Sequence, residues 1–177
     1  MGVTRSRAVF LDRDGTLIED VGYPSRPEQV VLLPGAGEAL RGLRDHGFAL
    51  VVVSNQSGVG RGILNYAQAD AVHKRFASLL AEHGVKLDAA YYCFHAPGDR
   101  CDCRKPAPGL ILDAARELDA EPTLSFMIGN TAADIEAGRS AGCATIAMAP
   151  AETVDADWTV ASWHEAYDIV LRQSGRV

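Results

Sequence analysis

The chain alternates short apolar runs with longer amphipathic ones. Ala8–Leu11, Phe48–Val53, Ala89–Phe94, Ser125–Ile128 and Ala144–Met148 are of strand length and rich in Val, Ile, Phe and Ala. Phe48–Val53 has no polar alternate face, which marks a strand buried on both sides. The stretches between these runs show helical spacing. Ala36, Leu40 and Leu43 share one face of a helix predicted over Gly35–His46, with Gly47 as its left-handed stop. Val72, Phe76, Leu79 and Leu80 form the stripe of a helix over Asn65–His83, capped by Asn65 and ended by Gly84. A third helix, Pro108–Leu118, carries a proline in its first turn, and a fourth spans Thr131–Ala141. Ser162-Trp163-His164-Glu165 is a capping-box pattern that opens a last helix to about Arg172. Strands alternating with helices predict an α/β fold, a parallel sheet with helices on both faces. In such folds the ligand sits beyond the carboxyl ends of the strands, so the residues that follow each run form one constellation.

Composition sets limits on that picture. With 177 residues, 47% of them hydrophobic and 23% charged, the chain suits a single soluble domain over residues 1–177. There is no internal repeat or linker. Lys plus Arg number 17 and Asp plus Glu 23, a formal charge of −6. That argues against a nucleic-acid binder, which needs a basic field, and leaves room for a small anion held by a few local cations. No run is long and apolar enough to span a membrane. Met1–Arg7 lacks the apolar region of a signal peptide. Met1-Gly2-Val3-Thr4-Arg5-Ser6 fits the loose myristoylation pattern without a polybasic patch, and a short arm before the first strand is the plainer reading. A cytoplasmic monomer is expected.

The strand ends hold four polar clusters: Asp12-Arg13-Asp14-Gly15-Thr16, Ser54-Asn55, Arg104-Lys105 and Gly129-Asn130 with Asp134. Two carboxylates two residues apart repel unless a cation lies between them, and hard oxygen donors suit Mg²⁺. So shielded, Asp12 can attack phosphorus, and Asp14 can protonate a leaving alcohol and then activate water. Thr16, Ser54 and Asn55 offer neutral donors to phosphate oxygens, and Lys105 offers a positive charge. A second group, Cys93, His95, Cys101 and Cys103, has the composition of a closed Cys₃His zinc site of the structural type. Cys143 reads as a buried free thiol, and His46, His73, His83 and His164 as structural.

Taken in order, Asp12-x-Asp14-Gly15-Thr16, Ser54-Asn55, Lys105 and Gly129-Asn130-x-x-x-Asp134 resemble the haloacid dehalogenase superfamily of phosphohydrolases, from about residue 8 to 148. The resemblance implies a three-layer, Rossmann-like sheet with Asp12 as nucleophile and Asp14 as acid/base. It implies Mg²⁺ held by Asp12, the backbone carbonyl of Asp14 and the position now occupied by Asn130. Family members usually carry Asp there, so a full negative charge is missing, and Asp134 is the nearest support. Cys93-x-His95-x₅-Cys101-x-Cys103 before Arg104-Lys105-Pro106 resembles the zinc loop of the heptose bisphosphate phosphatases and of the histidinol phosphatases. Ser57–Gly62 and Val21-Gly22-Tyr23 favour the former, with Arg61 and Arg104 as candidate clamps for a second phosphate. The segments between motifs are too short for a large cap domain, so an open, capless site is expected. The expected substrate is a small phosphorylated sugar. Two other outcomes compatible with the residues are a histidinol phosphatase and a sugar-phosphate-binding module impaired by Asn130.

Overall fold

The computed structural model describes residues 6–148 and 154–175. Most of the Met1–Ser6 pattern lies outside those residues. The strands are β1 (Arg7–Leu11), β2 (Phe48–Asn55), β3 (Ala89–Cys93), β4 (Phe126–Gly129), β5 (Ala144–Met148) and β6 (Trp158–Val160). The helices are α1 (Ala36–Asp45), α2 (Ser57–Gly60), α3 (Tyr66–Glu82), α4 (Gly109–Glu117), α5 (Ala132–Ala141) and α6 (Trp163–Ser174). All the strands pair in parallel, in the order β3-β2-β1-β4-β5-β6. The strand order reverses between β1 and β4, and the crevice at such a switch point is where ligands bind.

Strand alternation divides the core into two layers. Val9, Leu11, Leu50 and Val52 face one way and pack with Leu40 and Leu43 of α1, Phe76 of α3 and Trp163 of α6. Ala8, Phe10, Val51 and Val53 face the other way, against Ile111 and Ala114 of α4 and Ala137 of α5. The result is three layers, helix–sheet–helix. Among the described residues, no segment between strands builds a cap.

Local chemistry explains the boundaries. Asn65 caps α3, taking the Gln68 amide at 2.9 Å while Gln68 Oε1 takes the Asn65 amide at 2.8 Å. Gly47 (φ +82°) follows α1 in the left-handed conformation that a side chain resists. Ser162 caps α6 by accepting from the Glu165 amide at 3.3 Å. Glu165 does not complete a capping box with it; its carboxylate takes the amide of Ala161 at 2.8 Å, one residue earlier. Two elements differ more from the sequence reading. β2 runs on through Ser54 and Asn55, because their backbones keep pairing with Tyr92 and Cys93 of β3. β6, three residues with a Thr at its centre, carries too little apolar pattern to be seen from sequence.

Candidate active site

Asp12 is the first residue beyond β1, and its amide donates to the Ile128 carbonyl of β4 at 3.0 Å. The nucleophile candidate is thereby fixed at the switch point. The chain then turns sharply: the amides of Leu17 and Ile18 both donate to the Arg13 carbonyl, at 2.8 and 3.0 Å. Gly15 makes the turn at φ +78°, and a β-carbon there would lie 2.3 Å from Asn130 Nδ2. Only glycine meets both conditions. The far side of the turn is held by Trp163, whose indole Nε1 donates to the Thr16 carbonyl at 2.8 Å.

Lys105 joins three parts of the fold. Its Nζ donates to Asp12 Oδ1 at 2.7 Å, Asp134 Oδ1 at 2.5 Å and the Val53 carbonyl at 2.7 Å, which uses all three ammonium protons. Burial opposes the lysine charge, but Asp12 and Asp134 more than offset it and raise its pKa. Burial also pushes the Asp12 carboxyl up to about 6; Lys105 works against that rise, and the like charges of Asp134 and Asp14 add to it. Asp134 Oδ2 takes the amide and hydroxyl of Thr131 at 3.0 and 2.7 Å, so the same side chain closes the α5 capping box and holds Lys105. Asn55 takes the Lys105 amide on Oδ1 and donates from Nδ2 to its carbonyl, each at 3.0 Å. That side chain fastens the end of the cysteine-bearing loop to β2.

Asp12, Asp14, Ser54, Asn55, Lys105 and Asp134 line one cavity of about 180 Å³, with Asp20 and Tyr23 on its wall. Four other residues singled out in the sequence lie outside that lining. Thr16 is fully buried, and its hydroxyl donates to Asn130 Oδ1 at 3.2 Å. Asn130 packs there against Gly15. Arg61 caps the end of α2 and is exposed. Arg104 donates from Nη1 to the His95 carbonyl at 3.4 Å. Sequence reasoning missed Arg13 and Gln56, which together hold Asp14. Arg13 pairs with Asp14 Oδ2 at 3.0 Å, and Gln56 Nε2 donates to the same oxygen at 2.7 Å. The sequence offers only an arginine between two aspartates at a strand end; its burial, which demands partners, is seen in the structure alone.

Mg²⁺ fits the oxygen cluster. Asp12, Asp14 and Asp134 outnumber Lys105 and Arg13, and all the anionic donors are hard oxygens. The second cluster suits a softer ion. The ligand atoms of Cys93, His95, Cys101 and Cys103 all lie within 4.8 Å of one another. Cys93 Sγ is 3.2 Å from Cys103 Sγ and 3.9 Å from Cys101 Sγ, and His95 Nδ1 is 3.3 Å from Cys103 Sγ. A tetrahedral zinc with bonds of about 2.3 Å to sulfur has ligand edges of about 3.8 Å, close to this spacing. Burial and the neighbouring thiols push Cys103 up to about 12, whereas at Cys101 burial is outweighed by hydrogen bonds from the Arg104 amide and the neighbouring thiols, which lower it.

The sequence profile of the haloacid dehalogenase-like hydrolases matches residues 20–142. Over 145 residues the chain is 44% identical to the D-glycero-beta-D-manno-heptose-1,7-bisphosphate 7-phosphatase of Photorhabdus laumondii, covering 78% of this chain and 77% of that one. The protein of the same name from Escherichia coli K12 is 36% identical over 180 residues, covering 94% of each. The crystal structure of D,D-heptose 1,7-bisphosphate phosphatase from B. bronchiseptica, complexed with magnesium and phosphate, matches with a TM-score of 0.86 at 29% identity, over 94% of this chain and 99% of that one. Sheet order, motif placement and sequence agree, and the chain belongs to the haloacid dehalogenase-like hydrolase family.

Proposed function

We propose that this phosphatase removes the 7-phosphate from D-glycero-beta-D-manno-heptose 1,7-bisphosphate through a phosphoaspartate on Asp12. The reading rests on the convergence of Asp12, Asp14 and Lys105 at the switch point, in a chain whose relatives carry that activity in their names. The Asp12 carboxylate attacks phosphorus, and Asp14 gives its proton to the departing sugar oxygen. Asp14 then takes a proton from water, which attacks the phosphoaspartate and frees inorganic phosphate. Lys105 lies against Asp12 and offsets the charge that spreads over the transferring oxygens. Ser54, on the cavity wall, offers a neutral donor to the phosphate, as does Asn55 when its amide is not on Lys105. Asp12, the Asp14 carbonyl and Asn130, with Asp134 in support, would hold Mg²⁺, which would supply the positive charge that lets one anion approach another.

Cys93, His95, Cys101 and Cys103 would hold zinc in a structural role, and the ion would fix the loop that carries Lys105. Gly60, the neighbour of Arg61, abuts the Phe94 carbonyl, and Arg104 reaches the His95 carbonyl. In this reading Arg61 and Arg104 receive the sugar's distal phosphate, and Thr16 acts from beneath through Asn130. The protein works as a monomer in the cytoplasm, where reducing conditions keep the cluster thiols free for metal.

The test is phosphate release from the heptose bisphosphate across a Mg²⁺ titration, with histidinol phosphate alongside. Saturable release of one phosphate from the sugar, with little from histidinol phosphate, is expected. No release from the heptose bisphosphate at any Mg²⁺ concentration overturns the reading.

A further inference from the structure

Arg13 sits between the two aspartates and has no part in the steps above, yet it is almost wholly buried, at 1% exposure. Its guanidinium is committed through Nε and Nη2. Nε and Nη2 donate to Asp14 Oδ1 at 3.3 and 3.1 Å, and Nη2 donates to Asp14 Oδ2 at 3.0 Å and to Gln56 Oε1 at 2.9 Å. Gln56 Nε2 also donates to Ser54 Oγ at 3.1 Å, which ties the group to β2. Behind, the guanidinium carbon lies 5.5 Å from the centre of the Tyr92 ring, whose hydroxyl meets His73 Nδ1 at 2.7 Å. On that side Arg13 lines a cavity of about 370 Å³ with Tyr66, Tyr92 and Phe94, and Gln56 lines both that cavity and the active site.

A fork that contacts both oxygens of one carboxylate fixes its plane as well as its position. Among the described residues, Arg13 and Gln56 alone anchor the Asp14 carboxylate through their side chains. An acid/base group displaced by about 1 Å loses much of its effect, since proton transfer needs hydrogen-bond contact. We propose that Arg13 is the positioning residue for Asp14, with Gln56 as its second hand, and that the Tyr92–His73 pair holds Arg13 in place. The inference rests on the reading of Asp14 as acid/base and Asp12 as nucleophile.

The two half-reactions separate it from a purely structural role. With p-nitrophenyl phosphate, the Asp12 oxygen–phosphorus bond forms as the phosphorus–aryl oxygen bond breaks, and p-nitrophenolate leaves without needing a proton. In the second step water attacks phosphorus, the Asp12–phosphorus bond breaks, and Asp14 takes the water proton. Only the second step then depends on Asp14. Rapid-mixing kinetics on full-length, Mg²⁺-loaded wild type, Asp14→Asn, Arg13→Met and Arg13→Lys provide the test.

Asp14→Asn is expected to release a burst of about one p-nitrophenolate per chain, followed by turnover about 100-fold slower than wild type. Arg13→Met should burst in the same way with KM little changed, and Arg13→Lys, which keeps the charge but loses the fork, should fall between it and wild type. If Asp14→Asn bursts while the Arg13 variants keep wild-type turnover, or lose burst and turnover together with a raised KM, the positioning role is overturned. If Asp14→Asn itself shows no burst, the reading beneath it has failed, and this inference with it. Should Arg13→Met not fold, Arg13→Lys and Gln56→Leu carry the same test, since each removes contacts to the same carboxylate.

Discussion

Two anionic clusters meet at Arg104-Lys105, and they are built differently. The oxygen cluster contains its own cations: Lys105 bridges Asp12 and Asp134, and Arg13 grips Asp14. Its members stand on three parts of the chain, the turn after β1, the loop before α4 and the first turn of α5, and the Asn55 side chain ties the Lys105 backbone to β2. The sulfur cluster holds only thiols and an imidazole, three of its members on a loop and one at the end of β3. Its thiols differ among themselves: burial and the neighbouring thiols raise Cys103, whereas for Cys101 burial is outweighed by hydrogen bonds from the Arg104 amide and the neighbouring thiols. The first cluster is tied together by ion pairs and a helix cap of the fold itself. In the proposed function the second would be tied by zinc, so losing that ion would act on the loop rather than on the sheet.

The sharpest way to break this comparison is Asp12→Asn. Turnover should fall by about 10⁴-fold or more, because the nucleophile is gone. The thermal midpoint should hold or rise. Burial lifts the folded-state pKa of Asp12 to about 6, so its ionised form costs stability above the unfolded value, and Asn removes that cost while Lys105 keeps Asp134 and the Val53 carbonyl. A drop of more than about 5 °C by calorimetry would mean that the oxygen cluster also carries the fold.

Cys101→Ser should have the next largest effect. Zinc content measured by metal analysis should vanish and activity should fall about 10- to 100-fold, with Mg²⁺ unable to restore it. Amide exchange should speed up over residues 93–107 while β1, β2 and β4 stay protected. Uniform loss of protection would show that the loop metal supports the whole core. Asn130→Asp should be milder. It restores a charged oxygen donor beside the motif turn and should tighten the Mg²⁺ dissociation constant about tenfold in a titration, with zinc content unchanged. The smallest effect concerns Cys143. Burial pushes its thiol up to about 12, so at pH 8 on the order of one in ten thousand is ionised, and iodoacetamide should leave it unmodified by mass spectrometry in the folded protein. Chelation should then open the three cluster cysteines to the reagent and still spare Cys143.

Much of this was legible in the sequence because its signals are local. The buried strands, the α3 stripe, the glycine stops and the Cys/His spacing all declare themselves within a few residues. What was hidden depends on distant partners. Asn55 reads as a phosphate donor until Lys105, fifty residues later, is seen to occupy its amide on both sides. Thr16 reads the same way until its hydroxyl is found on Asn130. Arg13 looks like a spacer between two acids, and its value emerges only when Tyr92 and Gln56 close around it. β6 draws its strand character from pairing with β5 rather than from its own three residues.

The order of the sheet also bears on how the protein is made. β1 lies between β2 and β4, so Val9 pairs with Leu50 on one side and with Phe126 on the other. The turn after Asp12 is secured from Trp163, 147 residues beyond Thr16. Chain leaves the ribosome from its amino end, so the nucleophile emerges early and waits beside an open, apolar strand edge until β4 arrives. Parallel pairing over such separations is slow to form, and this interval is when a nascent chain is most open to sticking to others. A fragment that stops before α6 would carry Asp12 without the indole that holds its turn.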